Sequence, residues 1–137
     1  MLAGLAGSIK GSVPYGGLAH PFYNNSTKIH ETHHLLHGEK VTFGLLVQLI
    51  LENRDEKEII EFVQWMQFLN LPTTLYELGI KLNINHKVEI IAEGIIKSIG
   101  NYLGLGYQLK KEDIIEAIYK VDELGRSNLT RRKKINA

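Results

Sequence analysis

The sequence predicts an all-α protein, a helical bundle of about six or seven helices. Three observations point there. Apolar residues recur at spacings of three and four: Val88, Ile91, Ile95 and Ile99 form one series, and Ile114, Ile118, Val121 and Leu124 another. Helix-starting residues such as Asp55 and Asn85 precede the periodic stretches, and stop signals such as Gly79, Gly100 and Asn70-Leu71-Pro72 follow them. The chain has 137 residues, 44% of them apolar, which is one domain able to bury roughly 68–70% of its extended surface.

The elements can be justified in order. Residues 1–17 put Leu2, Leu5 and Ile9 on one stripe, weakened by Gly4, Gly7 and Gly11 at about 1 kcal/mol each relative to Ala. Such a stretch suits an inner helix packed closely on neighbours, so the chain reads as starting partway through a domain, from a truncated or split gene. Val13-Pro14-Tyr15-Gly16-Gly17 is a turn by composition. A helix follows from about Leu18 to Asn25, with Pro21 in its first turn, where a missing N–H costs little. Ser26 to Thr32 is a polar connection. The next helix, about Leu36 to Glu52, is apolar nearly all round and therefore central. Its Gly44 permits close approach of another helix or a ligand, and its Gln48 needs a hydrogen-bond partner.

Asp55 then caps a helix from Glu56 to Leu69, with Glu58 placed for a near capping box. Ile59, Val63, Met66 and Asn70 share its inner face, widened by Ile60 and Phe68; Phe62 and Trp65 are packing residues. Thr73 or Thr74 starts a short helix stopped by Gly79. Asn85 caps the next, Gly100 ends it, and His86 sits exposed in its first turn. Residues 102–109 form a loop, in which Gly104-Leu105-Gly106 is a turn. The last helix runs from Lys111 to about Arg131 and is followed by a basic run, Arg131 to Lys134, read as a solvated tail.

Composition excludes several functions. A net charge of +1 with no wide basic face argues against nucleic acid. No apolar run approaches the roughly 20 residues of a membrane span, and no basic-then-apolar signal peptide opens the chain. Without cysteine there is no disulfide or thiolate metal site. The expected location is cytoplasmic. No phosphate-cradling glycine loop is present.

Histidine is the exception to this ordinary composition. His20, His30, His33, His34 and His37 fall within eighteen positions, and only His86 stands apart. Imidazole is the commonest protein ligand for a transition metal and titrates near neutrality, so the cluster points to a metal, to proton chemistry, or to both. On a helix His33 and His37 would share a face, as would His34 and His37. Glu31 and Glu39 are the nearest acids. H-H-x-x-H lacks the general-base Glu of the H-E-x-x-H metalloproteases. Histidines that only cap a helix or line a polar surface fit the spacing equally well.

A longer pattern runs through these residues. G-G-L-A-H (Gly16–His20), Tyr23-Asn24, H-H-L-L-H-G-E-K-V-T-F-G-L-L-V-Q-L-I-L-E (His33–Glu52), L-P-T-T-L-Y-E-L-G (Leu71–Gly79), Ile91-Ala92-Glu93 and Val121-Asp122 resemble the C-terminal helical domain of the iron-containing (group III) alcohol dehydrogenases, glycerol dehydrogenase in particular. The resemblance implies that residues 1–137 are a single, partial all-α metal-binding domain without the nucleotide-binding domain. It implies metal ligands at His20 and His37, with zinc or iron as the metal. In the complete enzyme it implies an Asp ligand from upstream, NAD(P), and an alcohol or polyol substrate. Tyr23 stands where the family usually carries a further histidine, so a polyol or hydroxy-acid fits as well as glycerol. His33 and His34 would line the cleft or orient a ligand. A separate nucleotide-binding partner chain or a homo-oligomer would complete the enzyme, and this chain alone would be inactive. The competing expectation is a non-catalytic helical interaction module or accessory subunit derived from that family.

Overall fold

A computed structural model describes residues 17–99 and 109–136. Among them are six α-helices and no strand: α1 (Ala19–Ser26), α2 (His37–Leu51), α3 (Glu56–Phe68), α4 (Leu75–Leu78), α5 (Ile84–Ile99) and α6 (Lys111–Asn136), with a 3-10 turn at His30–Thr32. The all-α expectation holds. The expected Leu2/Leu5/Ile9 stripe, most of the Val13–Gly17 turn, the Gly104-Leu105-Gly106 turn and most of the 102–109 loop lie outside the described residues.

Helix α2 is central and packs against α1, α3 and α6. Phe43, Leu46, Val47 and Leu49 are fully buried on it, each worth about 1.5–3 kcal/mol of apolar burial. Phe22 of α1 stacks on Phe43 with ring centroids 5.2 Å apart. A Cβ added at Gly44 would lie 2.8 Å from the Phe22 Cβ and 3.0 Å from the Ala19 Cα. Gly44 therefore brings α1 onto α2 at backbone range, the helix-contact alternative for this residue. Gln48 finds its partner in the same interface, where its Oε1 accepts from Leu18 N at 2.9 Å. The stripes Val88/Ile91/Ile95 and Ile114/Ile118/Val121/Leu124 close the core as their periodicity requires.

A second polar knot joins α3, α4 and α6. Asp122 Oδ1 accepts from Leu75 N at 2.8 Å, which caps α4, and its Oδ2 accepts from Arg126 Nε at 3.0 Å. Gln67 Nε2 donates to Thr73 Oγ1 and to Gly125 O, both at 3.0 Å. Glu77 Oε1 accepts from Thr73 N at 3.1 Å, while Thr74 Oγ1 accepts from Glu77 N at 3.0 Å.

Several boundaries differ from expectation for physical reasons. Asp55 caps α3 through Lys57 N, but Glu58 pairs with Arg54 at 2.7 Å and does not complete a capping box. Asn70 ends α3 at φ +60° and does not continue its inner face; Phe68 is 72% exposed. Asn53 and Asn83 take the same left-handed geometry (φ +55° and +52°) after α2 and before α5, a conformation asparagine tolerates better than most residues. Asn85 lies inside α5 and accepts from the Tyr119 hydroxyl, so it is not the cap. Helix α6 continues to Asn136, past the expected end at about Arg131, so the backbone of the basic run is helical.

Candidate functional site

Four side chains meet where the first turn of α2 faces α1. His20 is the second residue of α1, and Tyr23 follows three positions later on the same face. His37 is the first residue of α2, with Lys40 three positions later. Close packing at Gly44 sets the two helices side by side, and the pairs then converge. The His20 and His37 ring centroids are 5.7 Å apart, tilted at 43°. Tyr23 meets His37 edge-on at 4.1 Å. Lys40 Nζ lies 5.7 Å from the Tyr23 centroid, within cation–π range.

The two imidazoles are exposed, and neither makes a hydrogen bond among the described residues. Two imidazoles sharing one ion through nitrogens at about 2.0–2.1 Å have centroids about 5–6 Å apart. Their spacing and donor chemistry thus fit a shared divalent ion. No group of three His, Asp or Glu among the described residues is placed to hold one. Residues 1–16 and 100–108 contain none of these residue types.

The other histidines are committed elsewhere. His33 and His34 do not share a helix with His37, because α2 begins only at His37. His33 Nε2 donates to Thr27 O at 2.7 Å, and His34 Nδ1 donates to Glu31 O at 2.9 Å. A carbonyl only accepts, so these contacts fix which ring nitrogen carries the proton in each. His30 packs edge-on against His33 at 5.0 Å. Glu31 pairs with Lys87 of α5, and that bond holds its carboxyl below the usual carboxylate range. Glu39 Oε1 accepts from Leu36 N at 2.8 Å at the start of α2. His86 is exposed in the first turn of α5.

Lys40 is the residue that sequence reasoning passed over. It is only 3% exposed, has no carboxylate partner among the described residues, and its ammonium is pushed to lower pKa by burial. The signal was present: a lysine on a helix that is apolar nearly all round cannot face open water, so it needs a partner or a function. A separate cavity of about 460 Å³ lies beside the far end of α2, lined by Ile50, Leu51, Asn53, Asp113, Glu116 and Lys120. That end is about 21 Å along the helix from His37.

No protein-family model matches the sequence. Relatives do. The glycerol dehydrogenase of Citrobacter freundii is 36% identical over 113 residues, which cover 82% of this chain and 31% of the relative. The solved structure of a probable glycerol dehydrogenase from Sinorhizobium meliloti superposes with a TM-score of 0.73 at 34% identity, over 80% of this chain and 31% of that one. Glycerol dehydrogenase from Schizosaccharomyces pombe gives a TM-score of 0.76 at 28% identity, over 86% and 31%. This chain corresponds to the C-terminal helical part of glycerol dehydrogenases. It spans about 31% of the length of these relatives. The resemblance carried by H-G-E-K-V and L-P-T-T-L is therefore a relationship of both sequence and fold. Among the described residues, no helix is long and apolar enough to cross a membrane.

Proposed function

We propose that this chain is the metal-binding part of a cytoplasmic NAD(P)-dependent alcohol dehydrogenase acting on a polyol or hydroxy-acid, with His20 and His37 as two ligands of a zinc or iron ion. The observation that carries the reading is one pair: two exposed imidazoles from different helices, 5.7 Å apart, with no hydrogen bond among the described residues. When bound, the ion supplies Lewis acidity that favours ionisation of the substrate hydroxyl. The chain's own residues do the rest. His20 and His37 fix the position of the ion from helices locked together at Gly44, a firmer support than a loop. Tyr23 holds the His37 ring by edge contact. Lys40 supplies positive charge over the Tyr23 ring, at the edge of the imidazole pair.

An Asp and a nicotinamide site from outside these 137 residues complete the enzyme in this reading. Supplied with NAD(P) and an alcohol, the chain alone gives no turnover. The test is calorimetric titration of the metal-free chain with zinc. The His20→Ala/His37→Ala variant should lose at least tenfold in affinity while keeping its helical circular dichroism. Equal affinity in the variant overturns the ligand assignment.

A non-catalytic interaction module is the second reading. It is favoured by Leu36, Phe68, Tyr76 and Leu82, large apolar side chains each more than 65% exposed. A chain that binds zinc no better than the double variant, yet self-associates in sedimentation, would favour it.

A further inference from the structure

We propose that the turn between α1 and α2 carries a second site for a divalent transition-metal ion, a chelate of His30 and His33 that is separate from the His20/His37 pair.

Side chains three apart eclipse one another in a 3-10 turn. The turn His30–Thr32 is closed by His33 N donating to His30 O at 3.0 Å, and the two imidazoles meet with centroids 5.0 Å apart. Two imidazoles sharing one ion through nitrogens at about 2.0–2.1 Å stand at this spacing. The proton on His33 is already in place. Its Nε2 donates to Thr27 O at 2.7 Å, which leaves Nδ1 as the lone-pair nitrogen. A metal-bound imidazole almost always gives its other N–H to a carbonyl or carboxylate, and that bond sets the tautomer and the ring orientation. His30 makes no hydrogen bond through its ring among the described residues, so either of its nitrogens can serve. The Glu31 carboxylate, though held by Lys87, interacts with the charge of His30 and adds negative potential beside the pair.

The backbone under the two rings is anchored on both sides. Thr32 is fully buried, with its hydroxyl 2.8 Å from Ser26 O at the end of α1. A Cβ added at Gly79, after α4, would lie 2.2 Å from Glu31 O, so the turn rests directly on that glycine. No third His, Asp or Glu among the described residues joins the pair. A turn is also a looser support than two packed helices, so His20 and His37 should fill first.

The probe is zinc, titrated into the unmodified chain while the histidine ring nitrogens are followed by NMR. His86, which stands apart in α5, is the internal reference for a single imidazole. His30 and His33 should share one midpoint, at least tenfold below that of His86, because the second imidazole binds from within the same molecule. Zinc should move His33 at Nδ1 while Nε2 keeps its proton toward Thr27. His30→Ala removes a ring that holds no hydrogen bond in the turn, and it should return the His33 midpoint to that of His86.

Three results overturn the site: midpoints equal to that of His86, coordination of His33 through Nε2, or a His33 midpoint that His30→Ala leaves unmoved. If His30→Ala does not fold, His30→Gln replaces it with the same criterion. The site does not rest on the ligand assignment above. Zinc that moves His30 and His33 but neither His20 nor His37 sinks that assignment and leaves this one standing.

Discussion

Two polar clusters stand at helix starts in this protein, and they differ in where their hydrogen bonds go. Around Asp122, Gln67, Thr73, Thr74 and Glu77, the groups bond one another or a buried backbone atom. Around His20, Tyr23, His37 and Lys40, the rings touch but the ring nitrogens and the ammonium have no hydrogen-bond partner among the described residues. A satisfied buried network fixes one arrangement of the backbone. An unsatisfied cluster at a surface leaves donors and acceptors for something else. The difference separates a cluster that holds helices together from one whose ring nitrogens stay open, though both look alike as polar letters in the sequence.

The largest effect should come from breaking the satisfied cluster. Asp122→Ala leaves Thr74 as the cap of α4 but leaves Leu75 N–H buried without an acceptor, at a cost of about 2–3 kcal/mol. Asp122→Asn keeps an acceptor at that position and should recover part of the loss. Urea unfolding of the two variants checks this, and zinc affinity should not move in either. A stability change below about 0.5 kcal/mol for Asp122→Ala would erase the contrast between the clusters.

Next comes the buried cation. Burial lowers the folded-state pKa of Lys40 below its ordinary value of 10.5, so the unfolded chain holds more protons between those two values. Stability therefore rises with pH across that window, and the full cost of the buried ammonium is present below it. Lys40→Met should be the more stable protein at pH 7, by of order 1 kcal/mol, the usual scale of one substitution. The gap should narrow as pH approaches 10.5. Urea midpoints at the two pH values test it; a variant that is less stable at pH 7 would show that the ammonium has a stabilising partner.

Much of the fold was legible because periodicity reports which face is buried. The α2 and α3 starts, the buried stripes of α5 and α6, and the Thr74 and Gly79 ends of α4 all follow from local rules. Residues whose local role has two solutions were not legible. Asn70 fits an inner-face position by spacing, but its tolerance of positive φ makes it the helix stop. Asn85 has the chemistry of a cap, yet Asn83 bends the chain first. At the site, the convergence of His20 and His37 depends on Gly44 packing against Ala19, residues distant in sequence and joined by no local pattern. Lys40 was visible as an anomaly only if a charge on an all-apolar helix is treated as a question.

The smallest effect separates the histidines from one another. By spacing, His33 and His34 were as good companions for His37 as any residue, since three or four positions on a helix would align them. They lie instead in the turn before α2, each donating to a nearby backbone carbonyl from an exposed position. An exposed hydrogen bond of this kind is worth about 0.5–1 kcal/mol at most. His33→Ala and His34→Ala should therefore each cost under about 1 kcal/mol in urea unfolding and leave zinc affinity within twofold. The same substitution at His37 should cost little in stability and at least tenfold in zinc. If His33→Ala or His34→Ala matched that tenfold loss, the turn would have to rearrange to bring its imidazoles to the ion. The backbone bonds made by those two rings would then be a resting position and not their role.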